Sequence, residues 1–281
     1  MATTISVNKQ CVFDLLKSGK DKPFIIPEYQ RPYAWSTDQI EALFEDIWEF
    51  STTIGGLNKN EFYYLGSIVS FENENCEQEI IDGQQRMTSL FLLLRAIYTK
   101  LTTSEDSHTA AAQNFIRQIE PAIWRTDNMT GEVKFSDILL KSLVVDNEGN
   151  EILKKILETG HANHNSTDNY SKNYLLFQKL YDEKCKSSPL HIYDFIYSLL
   201  HQAIILPISA DNQETALTIF STLNNRGLPL SDADIFKAKI YNYLKGEEKD
   251  EFVKLWKSLE KEATEANESI QQLFYYYMFF L

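Results

Sequence analysis

Cysteine is scarce. Cys11, Cys76 and Cys185 are the only three among 281 residues, an odd number with no C-x-x-C spacing. That argues against a disulfide framework and a zinc ribbon, and a reducing, cytoplasmic setting is the expectation. Positive charge is also in short supply: 27 Lys and Arg stand against 40 Asp and Glu, for a net charge of −13. A surface that coats nucleic acid at large is basic, so the chain as a whole is not one, although a local basic groove stays open. No apolar run reaches the roughly 20 residues that cross a bilayer, so no membrane partner is expected. The segment after Met1 has no basic patch leading into an apolar run, hence no visible signal peptide. A Walker A loop, a glycine-rich dinucleotide loop, a H-E-x-x-H helix and a serine-hydrolase elbow are all missing. His161 and His164 have a metal-like spacing, but no Cys, His or paired acid stands beside them, and a solvated loop is the better reading.

What the chain does have is apolar and aromatic mass: 43% hydrophobic and 13% aromatic residues. That is enough for a core in one large domain or two smaller ones. The last residues, Leu273 to Leu281, are almost wholly apolar. A soluble chain seldom stops on such a segment, so the polypeptide is expected to continue beyond it.

Periodicity places the elements. A short helix is predicted from Asn8 to Lys17, and Phe24 to Ile26 reads as a strand ended by Pro27. Ser36 to Gln39 is a capping box opening a helix through Ile40, Leu43, Phe44, Ile47 and Trp48. Phe62 to Phe71 and Glu79 to Ile81 are strands, and a very apolar helix runs from Arg86 to about Leu101. Further helices are predicted over Ala110–Ile119, Glu151–Leu157, Asn169–Lys184 and Ile192–His201, then a strand over Ala203–Ile208. Asp211 to Glu214 makes a second capping box, Gly227 a left-handed stop, and Ser231 the next cap. Phe252, Leu255, Trp256 and Leu259 mark one more amphipathic helix.

The most informative stretch is Asp82-Gly83-Gln84-Gln85-Arg86, where a strand hands over to that apolar helix. Unpaired N–H groups and the dipole make a helix start an anion site. Asp82 and Gln85 also fit an ordinary capping box. Arg86 does not: a cation there opposes the dipole, and it makes sense with an anion such as phosphate between it and the backbone donors. Upstream, Pro27 and Pro32 keep Glu28 to Trp35 extended, which would put Tyr29, Arg31, Tyr33 and Trp35 on one face. Aromatics in such a place are more often core than a base-stacking surface. Gly66-Ser67 inside a strand marks close approach of a ligand or another backbone. Asn224 to Gly227, followed by Asp234 and Lys237, reads by itself as a plain helix connection.

Together, three pieces resemble one family. They are Ile26 to Trp35; Tyr64 to Val69 followed by Ile81 to Thr88; and Phe220 to Gly227 with Leu230, Asp234 and Lys237. In this order they are similar to the N-terminal domain of GmrSD-type, modification-dependent restriction enzymes and related anti-phage proteins. The resemblance implies an α+β fold: a small ParB/sulfiredoxin-like sheet with helices over residues 1–104, and a mainly helical part over 105–281 whose residues 203–240 pack back on the first. It implies an NTP-binding and hydrolysing regulatory role, with Asp82, Gln84, Gln85 and Arg86 as the catalytic set. Arg86 would contact phosphate, Asp82 or alternatively Glu28 would help position Mg2+ or water, and Gln84 and Gln85 would orient phosphate or the attacking water. Tyr29, Gln30, Arg31, Gly66, Ser67, Gly83, Thr88, Asn224, Arg226, Asp234 and Lys237 would line the nucleotide pocket. Implied partners are a nucleoside triphosphate and modified DNA, the latter through a C-terminal HNH-type nuclease domain that this chain lacks; homo-oligomerisation is left open. The competing reading is a sensor that binds modified DNA in the same groove without hydrolysis. Sulfiredoxin-type redox chemistry would need a cysteine beside the arginine, where Gln84 and Gln85 stand instead.

Overall fold

The computed structural model describes residues 5–55, 58, 60–144, 147–224 and 232–280. In the first part of the chain lie β1 (Ile5–Val7), β2 (Gln10–Cys11), α1 (Val12–Ser18), β3 (Phe24–Ile26), α2 (Thr37–Glu49), β4 (Tyr63–Glu72), β5 (Gln78–Asp82) and α3 (Gln84–Thr103). There follow α4 (Ala110–Ile123), β6 (Trp124–Thr126), β7 (Val133–Ile138), β8 (Leu140–Ser142), α5 (Asn147–Thr159), α6 (Asn169–Ser187) and α7 (Ile192–Tyr197). The remainder is β9 (Ala203–Ala210), α8 (Gln213–Asn224), α9 (Asp232–Tyr243), α10 (Glu247–Glu265) and α11 (Ile270–Phe280).

The fold is α+β. Its mixed sheet has seven strands in the order β1-β9-β4-β5-β3-β8, with β2 also on β9. The β4–β5 pair is an antiparallel hairpin. Its polar turn is tied by Asn73, whose Oδ1 accepts from the N–H groups of Asn75 and Glu77. β3 runs parallel to both β5 and β8, and β9 parallel to β4. The sheet therefore draws strands from well beyond residue 104: β8 and β9 are both members.

α3 is the axis of the molecule. Every residue from Met87 to Tyr98 is buried, as expected of a helix apolar on all sides. α4 and α6 pack along it. At one end of the neighbouring α2 the capping box forms as predicted, with Gln39 Oε1 accepting from the Ser36 N–H at 2.8 Å. A second, smaller core lies on the other face of the sheet. There Tyr29, Val69, Phe71 and Ile81 meet Ala216, Leu217 and Phe220 of α8.

Several predicted boundaries shift. The first helix starts at Val12, because Gln10 and Cys11 pair with Ile205 and Ile204 of β9. α7 stops at Tyr197 and a wider turn carries Ser198–Gln202 into β9. Asn212, not Asp211, caps α8, its Oδ1 accepting from the Thr215 N–H at 2.9 Å. Ser231 and Gly227 lie outside the described residues. Strands β1, β6 and β8 escape the periodicity reading since each has only three residues, and the six-residue β7 escapes it too.

In the turn after α7, His201 packs against Phe13 and Tyr197, and its Nε2 is 2.6 Å from Gln118 Oε1. Burial lowers its pKa from 6.5, with Asp14 pulling weakly the other way. The folded state thus prefers neutral imidazole, so this stabilisation is complete above about pH 6.5 and is lost as pH falls through the lower folded value. Thermal melts between about pH 7.5 and about pH 5.5 are expected to show a smaller acid-side fall for His201→Gln than for the wild type.

Candidate functional site

The handover from β5 to α3 is built by a glycine. Gly83 has φ 90 and ψ 8 and is the N-cap of α3. A Cβ there would lie 2.8 Å from Ile68 Cγ1. The sequence expectation that Asp82 caps the helix in a box with Gln85 is therefore corrected. The left-handed turn needs glycine next to the helix, which leaves Asp82 as the last residue of β5. Among the described residues no side chain caps the start of α3, which leaves its first-turn N–H groups without a side-chain acceptor there.

Arg86 is the third residue of the helix. Its guanidinium lies on Gly66, which has φ 112, and a Cβ at that glycine would be 2.9 Å from Arg86 Cζ. Gly66 sits where the β4–β9 register shifts, so a bulge opens the space the guanidinium fills. Nη1 donates to the Ser67 carbonyl at 3.0 Å. Among the described residues no carboxylate forms an ion pair with Arg86. Burial pulls its pKa down, and the charge of Asp82 draws it back up. Burial likewise raises the Asp82 carboxyl, against the Gly83 N–H, Arg86 and Arg31. Arg31 and Tyr64 are exposed beside this cluster.

Gln84 and Gln85 are buried, and their amides hold the preceding loop. Gln84 Nε2 donates to Gln30 Oε1 at 3.0 Å and to the Arg31 carbonyl at 3.1 Å. Gln85 Oε1 accepts from the N–H groups of Ala34 at 2.7 Å and Trp35 at 3.2 Å, while its Nε2 donates to the Pro32 carbonyl at 3.1 Å. Gln30 in turn donates to the Ile81 carbonyl at 2.9 Å. The pair thus fixes Arg31 against the start of α3.

The aromatic face predicted for this loop does not form. A turn at Glu28–Gln30, closed by the Gln30 N–H on the Pro27 carbonyl, breaks the extended run. Tyr29 goes to the smaller core, where its hydroxyl donates to Glu79 at 2.7 Å. Tyr33 goes to the main core, stacked on Tyr170 and bonded to Ser89 and Asn173. Glu28 accepts from the Tyr241 hydroxyl at 2.8 Å. Thr88 is buried on α3, and Lys237 is buried against Trp256 with Glu260 at 3.5 Å. Asn224 ends α8 and Asp234 lies in α9, while Arg226 is outside the described residues. The structure therefore groups Arg31, Gly66, Ser67, Asp82, Gly83 and Arg86, with Gln30, Gln84 and Gln85 as their support. Asn173 is not foreseen, and nothing in its spacing signals it; Tyr64 enters the sequence reading only as the first residue of the Tyr64 to Val69 piece.

Gly66→Ala places a methyl on Arg86 in a backbone region that strains any side chain. We expect it to displace the guanidinium and to cost about 1–3 kcal/mol of stability, read by thermal melts.

Fold and site together define an α+β domain in which a mixed sheet delivers one glycine turn and one arginine to the uncapped end of a buried helix. The chain belongs to the family of the GmrSD restriction endonuclease N-terminal domain, whose family model matches residues 12–241. It is also 24% identical over 263 residues, 87% of this chain, to an uncharacterized protein of Methanocaldococcus jannaschii. The chain spans 44% of that relative's length.

Proposed function

We propose that this chain is the NTP-binding and hydrolysing regulatory unit of a DNA-targeting, restriction-type defence protein. The observation that carries the reading is Arg86: a half-buried guanidinium with one carbonyl bond and no acid partner among the described residues, at an uncapped helix start. A phosphate there would receive the remaining guanidinium donors and the first-turn N–H groups together. Arg31, held by Gln84 and Gln85, supplies a second cation on the solvent side. In this reading the two glutamines position the loop and do not touch the attacking water.

Mg2+ enters through Asp82. Among the described residues no cluster of three His, Cys, Asp or Glu could hold a metal alone. Mg2+ with nucleotides commonly takes one or two carboxylates plus the substrate's phosphates, and a lone Asp82 fits that pattern. Glu28, engaged by Tyr241, does not join it. Bound there, the ion would neutralise phosphate charge.

The modified-DNA sensor receives less support. Of its three stacking residues, Tyr29 and Tyr33 are 4% and 6% exposed and packed in separate cores, and Trp35 is partly buried against the main core. Modified DNA as a partner belongs, on this reading, to the longer protein. The test is phosphate release from nucleoside triphosphates by the wild type and Arg86→Ala. No nucleotide binding by the wild type, or equal turnover by the variant, overturns the proposal.

A further inference from the structure

A second guanidinium on α3 faces a cavity that the site above does not use. Arg95 is 5% exposed. Its Nε donates to the Leu157 carbonyl at 3.0 Å and its Nη1 to Thr99 Oγ1. The rings of Tyr98 and Trp124 lie 5.4 and 5.3 Å from its Cζ. Among the described residues Nη2 has no hydrogen-bond partner and no carboxylate pairs with Arg95. Gly160, with φ 71, turns the chain beside it, and a Cβ there would stand 2.4 Å from Nη2.

Arg95 lines a cavity of about 400 Å³ between α3, α5 and α6, together with Thr99, Lys100, His161, His164 and Gln178. Both histidines are on an exposed loop. Lys100 is shared with Asp182. Capping the carbonyl end of α5 explains the Nε bond of Arg95. It does not explain an Nη2 left unbonded where it opens onto a cavity lined by Thr99, Lys100, Gln178 and two histidines. A desolvated guanidinium without an acid is costly, and an oxyanion supplies what it lacks. The volume suits a mononucleotide-sized molecule.

We propose that this cavity binds a small phosphate-bearing ligand, with Arg95 as the buried anchor and His161 and His164 closing over the phosphate. It is a separate site from the start of α3, about 13 Å further along the same helix.

The test uses the Arg86→Ala chain, so that the two sites do not confuse one another. Pyrophosphate and adenosine monophosphate are titrated into it by calorimetry, then into the same chain carrying His161→Ala with His164→Ala, and separately Arg95→Gln. Binding should survive Arg86→Ala, weaken at least about tenfold without the histidines, and vanish in Arg95→Gln. Melting curves check that each variant is folded, and if Arg95→Gln is not, the histidine pair decides. No heat with either probe in Arg86→Ala, or affinity unchanged by removing both histidines, overturns the proposal. Neither result bears on hydrolysis at Arg86, which is read in the unaltered chain.

Discussion

Arg86→Ala is expected to lower nucleotide hydrolysis at least about 100-fold while moving the melting temperature by only a few degrees. The two halves of that expectation have one origin. Arg86 makes a single hydrogen bond, to the Ser67 carbonyl, and no ion pair with a described residue. Its loss removes about 1 kcal/mol from the folded state. Burial already works against its charge, so deleting it also relieves desolvation. On the proposed reading such an arginine contributes little to stability and much to the bound phosphate. Arg86→Lys sharpens the point. Lysine keeps the charge but not the planar fork that lies flat on Gly66, so partial nucleotide binding with poor turnover is the expected result. Phosphate release beside a melting curve checks both variants. An Arg86→Ala protein that hydrolyses normally, or that fails to fold, would show the guanidinium to be structural.

How much of this was legible beforehand depended on the kind of signal each residue gives. The central helix announced itself through its apolar density, and α2 through Ser36 and Gln39, since local patterns are written in adjacent residues. The sheet was less legible. β8 pairs with β3 across more than a hundred residues, and β9 is inserted between β1 and β4; three-residue strands carry too little alternation to register. At the site, Arg86 could be singled out because it contradicts the helix dipole. The neighbours that hold it could not be read so directly. The turn at Glu28–Gln30 sends Tyr29 and Tyr33 into different cores, a tertiary outcome that an extended-strand pattern cannot foresee. The cap moved from Asp82 to Gly83 for a steric reason, the approach of Ile68, which only the folded sheet reveals.

Gln85→Leu should separate positioning from chemistry. The substitution keeps roughly the volume of a side chain that is 8% exposed, but removes both of its polar ends. The N–H groups of Ala34 and Trp35 lose their acceptor, and the Pro32 carbonyl loses a donor. Leaving such groups unmatched costs about 2–3 kcal/mol, on the order of 3–5 °C in melting temperature for a chain of this size. The loop so loosened carries Arg31, whose charge acts on Asp82. Substrate affinity should therefore suffer more than the chemical step: KM rises severalfold while kcat, at saturating nucleotide and below the lowered melting point, changes less. Were Gln85 instead to orient the attacking water, the pattern would invert, with kcat collapsing and the melting temperature nearly unmoved. Gln85→Glu supplies the control. Its carboxylate can still accept from Ala34 and Trp35 but cannot donate to Pro32, so it should recover part of the stability that leucine loses. A variant series in which kcat tracks the identity of residue 85 at constant stability would return this glutamine to the reaction itself.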